Sequence, residues 1–241
     1  MTRPHSTVTP NTWAFLRDAM IAPTGFREYD ARWKYPEGIN LPGITALGLG
    51  LGTQMHARGI DPVIAVGNDY RDYSLSIKNA LMLGLMQAGI AVRDIGPCLS
   101  PMAYFAQFHL DAPAVAMVTA SHNPNGWTGV KMGFERPLTH GPDEMAELKG
   151  IVLNGEGKAR AGGTYEFVDG VREAYLDDLV GDFKMTRNSR WSVPPAMAPR
   201  RPLRPSCSNV WASRWSRATT GLIIPSRITT RTPKRWRCCT T

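Results

Sequence analysis

The sequence predicts an α/β fold, a largely parallel or mixed sheet flanked by helices. Three short apolar runs, at 62–67, 90–95 and 114–118, have strand length and end in turn residues, as buried parallel strands do. Helical periodicity fills the gaps, with Ile77, Leu81, Leu85 and Met86 on one stripe and a second segment over 101–109. Strand, helix, strand, helix, strand at this spacing makes βαβ units rather than hairpins.

Taken in order, Asn11 is placed to cap a short helix from Thr12 to Leu16. Pro23 and Gly25 open a loop running to Arg32. Residues 44–57 read as a helix, although Gly48, Gly50 and Gly52 each cost about 1 kcal/mol relative to Ala. Gly89 stops the helix that precedes the second strand. Val130-Lys131-Met132 extends the sheet, and 142–150 and 170–180 read as helices. Ligand loops gather at the carboxyl ends of parallel strands, which points to the loops after Val66, Ile95 and Val118.

Charge divides the chain. The 241 residues carry a formal +8, which by itself suggests nucleic acid or an acidic surface. Residues 1–187 hold 17 basic and all 20 acidic residues, a formal −3, while 188–241 hold 11 basic residues and no acidic one. The last 54 residues also hold three of four Cys and four of seven Trp, and show no sustained period of 2 or 3.6. The expected organisation is an α/β domain over 1–187 and a basic, irregular, disordered tail over 188–241 that was not selected as protein. No apolar run approaches the ~20 residues of a membrane span, no secretion signal is written, and the Cys spacing fits neither a disulfide framework nor zinc.

The chemistry concentrates in Thr119-Ala120-Ser121-His122-Asn123-Pro124-Asn125-Gly126, directly after the third strand. A Ser at a strand's carboxyl end, followed by a Gly/Asn/Pro turn, exposes its hydroxyl while backbone N–H groups face an anion. The same residues also suit an ordinary turn, and a bare Ser hydroxyl needs a base, a metal or prior phosphorylation to react. Lys131 follows ten residues later and returns a cation to the same mouth. No G-x-S-x-G elbow, P-loop or dinucleotide fingerprint competes.

Thr119-Ala120-Ser121-His122-Asn123-Pro124 resembles the phosphoserine loop of the α-D-phosphohexomutases, the phosphomannomutase/phosphoglucomutase family. Gly25-Phe26-Arg27-Glu28-Tyr29-Asp30-Ala31-Arg32 resembles that family's N-terminal signature, Val66-Gly67-Asn68-Asp69-Tyr70-Arg71-Asp72-Tyr73-Ser74 its "VG-x-D-x-R-x-S" segment, and Gly129-Val130-Lys131-Met132 its "G-x-K" strand. The four motifs stand in the family's order, and the resemblance covers roughly residues 20–185, the family's first domain. The resemblance implies that Ser121, as phosphoserine, phosphorylates a hexose 1- or 6-phosphate, mannose or glucose, through a hexose 1,6-bisphosphate. Lys131, Arg32 and His122 would be catalytic, Tyr29, Arg71 and Asn123 would touch substrate, and Mg²⁺ would bind the phosphate on Ser121. A cytoplasmic location is implied as well. Trp33 stands where the family has Gly, which threatens the loop holding Arg32.

The family's "D-G-D-G-D" metal loop, sugar loop and C-terminal phosphate loop are not written in these 241 residues, so this chain alone is expected to be an inactive fragment. The tail carries a trace of them. Regrouping the codons of 226–241 so that each begins on an old third base permits "FPNYNPNPEAMEMLHD", and the same offset permits "VPxDNxLDHT" and "AxGNGT" upstream. These strings resemble the family's second domain, which predicts a one- or two-base indel near codon 188. The competing reading is a non-enzymatic sugar-phosphate or nucleic-acid binding module with a genuine basic tail. Nucleic acid is not the expected partner, because the frame shift accounts for the same composition.

Overall fold

In a computed structural model of the chain, the described residues are 3–181. The expectations for 188–241 and for a boundary at 187 lie outside them. The elements run α1 (Trp13–Arg17), β1 (Ala31–Lys34), α2 (Leu41–Ala57), β2 (Val63–Asn68), α3 (Ser74–Gln87), β3 (Ala91–Pro97), α4 (Ser100–His109), β4 (Ala114–Val118), β5 (Trp127–Gly133), α5 (Pro142–Leu153), β6 (Thr164–Phe167) and α6 (Val171–Gly181).

The six strands form one mixed sheet in the order β1-β5-β4-β2-β3-β6. β4, β2, β3 and β6 are mutually parallel, while β5 runs antiparallel to both β4 and β1. Strand alternation sends Ile64, Val66, Ala116 and Val118 to one face, under α2, α3 and α5. Ala65, Val115 and Met117 go to the other, under α4 and α6. The result is three layers, helices on both faces of a sheet.

The glycines of α2 serve close packing. A Cβ on Gly48 would lie 2.2 Å from the Leu81 carbonyl oxygen of α3, and one on Gly84 would lie 2.0 Å from that of Thr45. The two helix backbones touch where both sequences are Gly, so the propensity cost accompanies a contact that no side chain permits. Buried residues run almost unbroken from Gly43 to Met55, because α2 lies between the sheet, α3 and α5.

Some elements differ from expectation. Thr12 caps α1, its hydroxyl accepting from the Phe15 amide at 3.2 Å, whereas Asn11 sits at φ +60° in the preceding turn. The helix expected from 44 begins at Leu41, where the Asn40 side chain accepts from the Gly43 amide. β1 and β6 were not legible. β1 is four residues of arginine- and aromatic-rich loop sequence, and β6 is an edge strand with all four residues exposed. Gly89 closes α3 at φ +82°, as expected.

Candidate functional site

Because β2, β3 and β4 are parallel, the loops that follow them open at one end of the sheet. They enclose an open cavity of about 540 Å³ whose walls include Asp69, Arg71, Cys98, Ser100, Ser121 and His122. Ser121 is exposed there at φ +57°, a left-handed conformation uncommon outside Gly. Two bonds hold that turn: the Ser121 amide donates to Thr119 Oγ1 at 2.9 Å, and the Asn123 amide donates to the Ala120 carbonyl at 3.1 Å. The Ser121 hydroxyl lies 3.3 Å from Nδ1 of His122.

Two arginines grip the serine loop from neighbouring segments. Arg71 pairs with Asp69 and donates through Nη2 to the carbonyls of Asn123 at 2.6 Å and Ser121 at 3.3 Å. Asp69 also accepts from the Ser74 hydroxyl at 2.5 Å, which ties the grip to the start of α3. Arg32 donates to Asp30 through Nε at 2.8 Å and Nη2 at 2.6 Å, and through Nη1 to Asn123 Oδ1 at 2.8 Å. Both members of that ion pair are more than four-fifths buried, so water screens it weakly. Tyr73 adds a third tie, its hydroxyl donating to the Trp127 carbonyl and accepting from the Gly126 amide, both at 2.9 Å.

Register explains how Arg32 reaches the loop. Arg32 opposes Gly129, and Lys131, two residues on, opposes Met117. Directly opposed residues share a face, as do residues two apart, so Arg32, Lys131 and Met117 all point to the side that Met117 shares with the cavity. Gly129 leaves the crossing clear, since a Cβ there would sit 3.0 Å from Arg32 Cγ. Lys131 is half-buried and has no ion-pair partner among the described residues.

Trp33 does not displace Arg32. It points to the opposite face, 2% exposed, and donates Nε1–H to the Ala22 carbonyl at 2.8 Å. Gly25 makes the space, because a Cβ there would lie 1.9 Å from the Trp33 ring nitrogen.

The sequence-predicted residues therefore separate by position. Ser121, His122 and Arg71 line the cavity, and Asn123 and Arg32 join at its loop. Lys131 shares their face on β5 without lining the cavity wall, and Tyr29 is 58% exposed and away from that wall. Asp30, Thr119, Tyr73 and Ser74 carry loop-holding bonds that sequence reasoning did not assign, though all four lie inside the quoted motifs. Burial pushes the Cys98 thiol up to about 12, so it is no rival nucleophile at neutral pH.

Residues 23–158 match the family model described as phosphoglucomutase/phosphomannomutase, alpha/beta/alpha domain I. The chain belongs to the phosphoglucomutase/phosphomannomutase family. It is 32% identical over 163 residues to the phosphomannomutase of Salmonella typhimurium (strain LT2), covering 66% of this chain and 34% of that protein. It is 34% identical over 165 residues to the phosphomannomutase of Escherichia coli K12, again covering 66% and 34%. A crystal structure of a phosphoglucomutase/phosphomannomutase family protein from Burkholderia thailandensis superposes with a TM-score of 0.64 at 28% identity, over 70% of this chain and 38% of that one. The chain thus spans about a third of the length of the curated relatives it matches. Its mixed six-stranded sheet flanked by helices is the fold of a family domain.

Proposed function

We propose that Ser121 is the phosphoryl carrier of a phosphohexomutase acting on mannose or glucose phosphates. In the step assigned to this domain, the Oγ–P bond of phosphoserine breaks as a P–O bond forms to a hexose hydroxyl, and the hydroxyl proton passes through a base at the same mouth to the departing Ser121 Oγ. Such transfer relies on positioning and charge neutralisation more than on covalent help. The carrying observation is the exposed Ser121 hydroxyl in a loop clamped by Arg32 and Arg71. Arg32 and Lys131, on the same sheet face, supply positive charge toward the transferring group. Lys131 and His122 are the proton carriers in this reading, and Tyr29, exposed on the segment before β1, is the residue assigned to the sugar. Arg71 and Asn123 serve it by holding the loop, since Arg71, anchored on Asp69, donates to the loop carbonyls and Asn123 accepts from Arg32.

Among the described residues no group of three His, Cys, Asp or Glu side chains is placed to hold a metal ion. Asp69 is committed to Arg71 and Ser74. The phosphate on Ser121 would therefore be the donor these residues offer Mg²⁺, which would neutralise charge on the transferring group. No helix among the described residues is long and apolar enough to cross a membrane, and a cytoplasmic location belongs to the same reading. No observation favours the nucleic-acid module.

The test is mass spectrometry of the full chain after incubation with glucose 1,6-bisphosphate. Phosphate on Ser121, absent from Ser121→Ala, supports the reading. An unmodified Ser121, or equal labelling of Ser121→Ala, overturns it.

A further inference from the structure

Lys78 of α3 is buried and takes no part in the chemistry above. Its ammonium donates to Asp94 Oδ1 of β3 at 2.6 Å. The two side chains are 2% and 6% exposed, the most deeply buried ion pair among the described residues. Taking both charges out of water costs about as much as their attraction returns, so neutral groups of similar volume would hold the fold as well. The pair is better explained by what it positions. Asp94 Oδ1 also accepts from the Gly96 amide at 2.9 Å, and Oδ2 accepts from the Tyr165 hydroxyl at 3.3 Å. Gly96 stands at φ +72° near the end of β3, and the Cys98 amide donates to the Asn68 carbonyl at 2.8 Å. These bonds fix the turn that carries Cys98, Leu99 and Ser100 into the wall of the serine cavity.

Four residues before Lys78, on the same side of the helix, Ser74 is equally buried. Its hydroxyl holds Asp69, which pairs with Arg71, whose guanidinium grips the serine-loop carbonyls. One helix thus holds the serine loop through Ser74 and the β3–α4 turn through Lys78. We propose that Lys78 is a positioning residue: through Asp94 it sets the spacing between that turn and the serine loop, and so the width of the cavity in which a phosphosugar meets Ser121. The ammonium keeps the Asp94 carboxylate in the one orientation whose Oδ1 takes the Gly96 amide. Without it the turn shifts against the loop. The phosphosugar rests on the function proposed above, whereas the spacing of the two walls does not.

The double variant Lys78→Met/Asp94→Asn of the full chain tests this, because it leaves no buried charge and its urea midpoint should stay near wild type. Alkylation of Cys98 by iodoacetamide, followed peptide by peptide with mass spectrometry, should quicken about tenfold, the weight of one lost charge-assisted bond. Burial raises the Cys98 thiol, and Lys78 lowers it by more than Asp94 raises it, so losing both charges does not itself speed the reaction. The glucose 1,6-bisphosphate concentration that half-saturates labelling of Ser121 should rise by a similar factor, with the final extent unchanged. A pair that served stability alone would leave alkylation and half-saturation at wild-type values, and either value unchanged overturns the inference. If wild-type Ser121 takes no phosphate, the carrier reading falls and alkylation alone decides the spacing. If the double variant does not fold, hydrogen exchange of the wild-type chain decides. A Gly96 amide protected as well as the amides inside β3 supports the inference, and exchange as fast as in the exposed loops overturns it.

Discussion

At the residue scale the site depends on a few side chains that hold a loop rather than on reactive groups alone. Arg32 shows this best. Its guanidinium joins Asp30 of the preceding segment to Asn123, 91 positions along the chain. Arg32→Ala leaves the Asp30 carboxylate mostly buried and unpaired, and should cost about 1–3 kcal/mol in urea unfolding. The same variant should lose phosphate incorporation at Ser121. Arg32→Lys should recover part of the stability and little of the incorporation, because an ammonium cannot bond both partners in the geometry of the planar fork.

Trp33 and Gly25 form a complementary pair. Gly25→Ala drives a methyl into the indole and should cost about 2 kcal/mol or more by overpacking. With Trp33→Leu also present the two penalties should fall short of their sum in a double-mutant cycle, as the clash disappears with the ring. Strictly additive penalties would show that Gly25 is needed for another reason.

At the scale of elements, α5 and the loop before it carry a pH-sensitive contact. His140 is 2% exposed, packs edge-on to Phe134 at 4.4 Å between ring centroids, and places Nε2 3.1 Å from Gln54 Oε1. Burial pulls its pKa down to about 4, with Arg58 lowering it further and Glu144 and Glu147 opposing. Between the ordinary His value and 4, the unfolded chain binds a proton that the folded chain refuses, so stability falls as pH drops through that window. The loss should approach about 3 kcal/mol by pH 4. His140→Phe should flatten the dependence of the urea midpoint on pH between 6.5 and 4, and an unchanged slope would assign it to other groups.

The α2–α3 contact is the other element-scale lesson. From sequence the glycines of α2 only weaken a helix. Their value appears when Gly84 of α3 meets Thr45 and Gly48 meets Leu81 across the interface. Gly48→Ala should therefore destabilise the fold by thermal unfolding, opposite in sign to what helix propensity predicts.

At the scale of the molecule, the net +8 averages an acidic domain with a basic tail, and the boundary at codon 188 is a proposal about the gene. Sequencing the DNA across codons 180–195 should find a one- or two-base indel that restores mutase-like sequence downstream. An intact frame with no recoverable second domain would return the tail to the status of genuine protein.

Much of this was legible in order along the chain. The runs at 62–67 and 114–118 became β2 and β4, and the loop after Val118 opens beside those after β2 and β3. Periodicity and turn chemistry determine such elements locally, and parallel strands put their following loops at one end. The sequence by itself determined the α/β class, the serine loop and the family motifs. Only the tertiary structure decided that β5 and β1 run antiparallel, that Trp33 turns away from Arg32 into the space above Gly25, and that Arg32 and Arg71 fasten the serine loop. Those outcomes depend on which strands become neighbours and in what register, and long-range pairing of that kind leaves no periodic signal in the residues that take part.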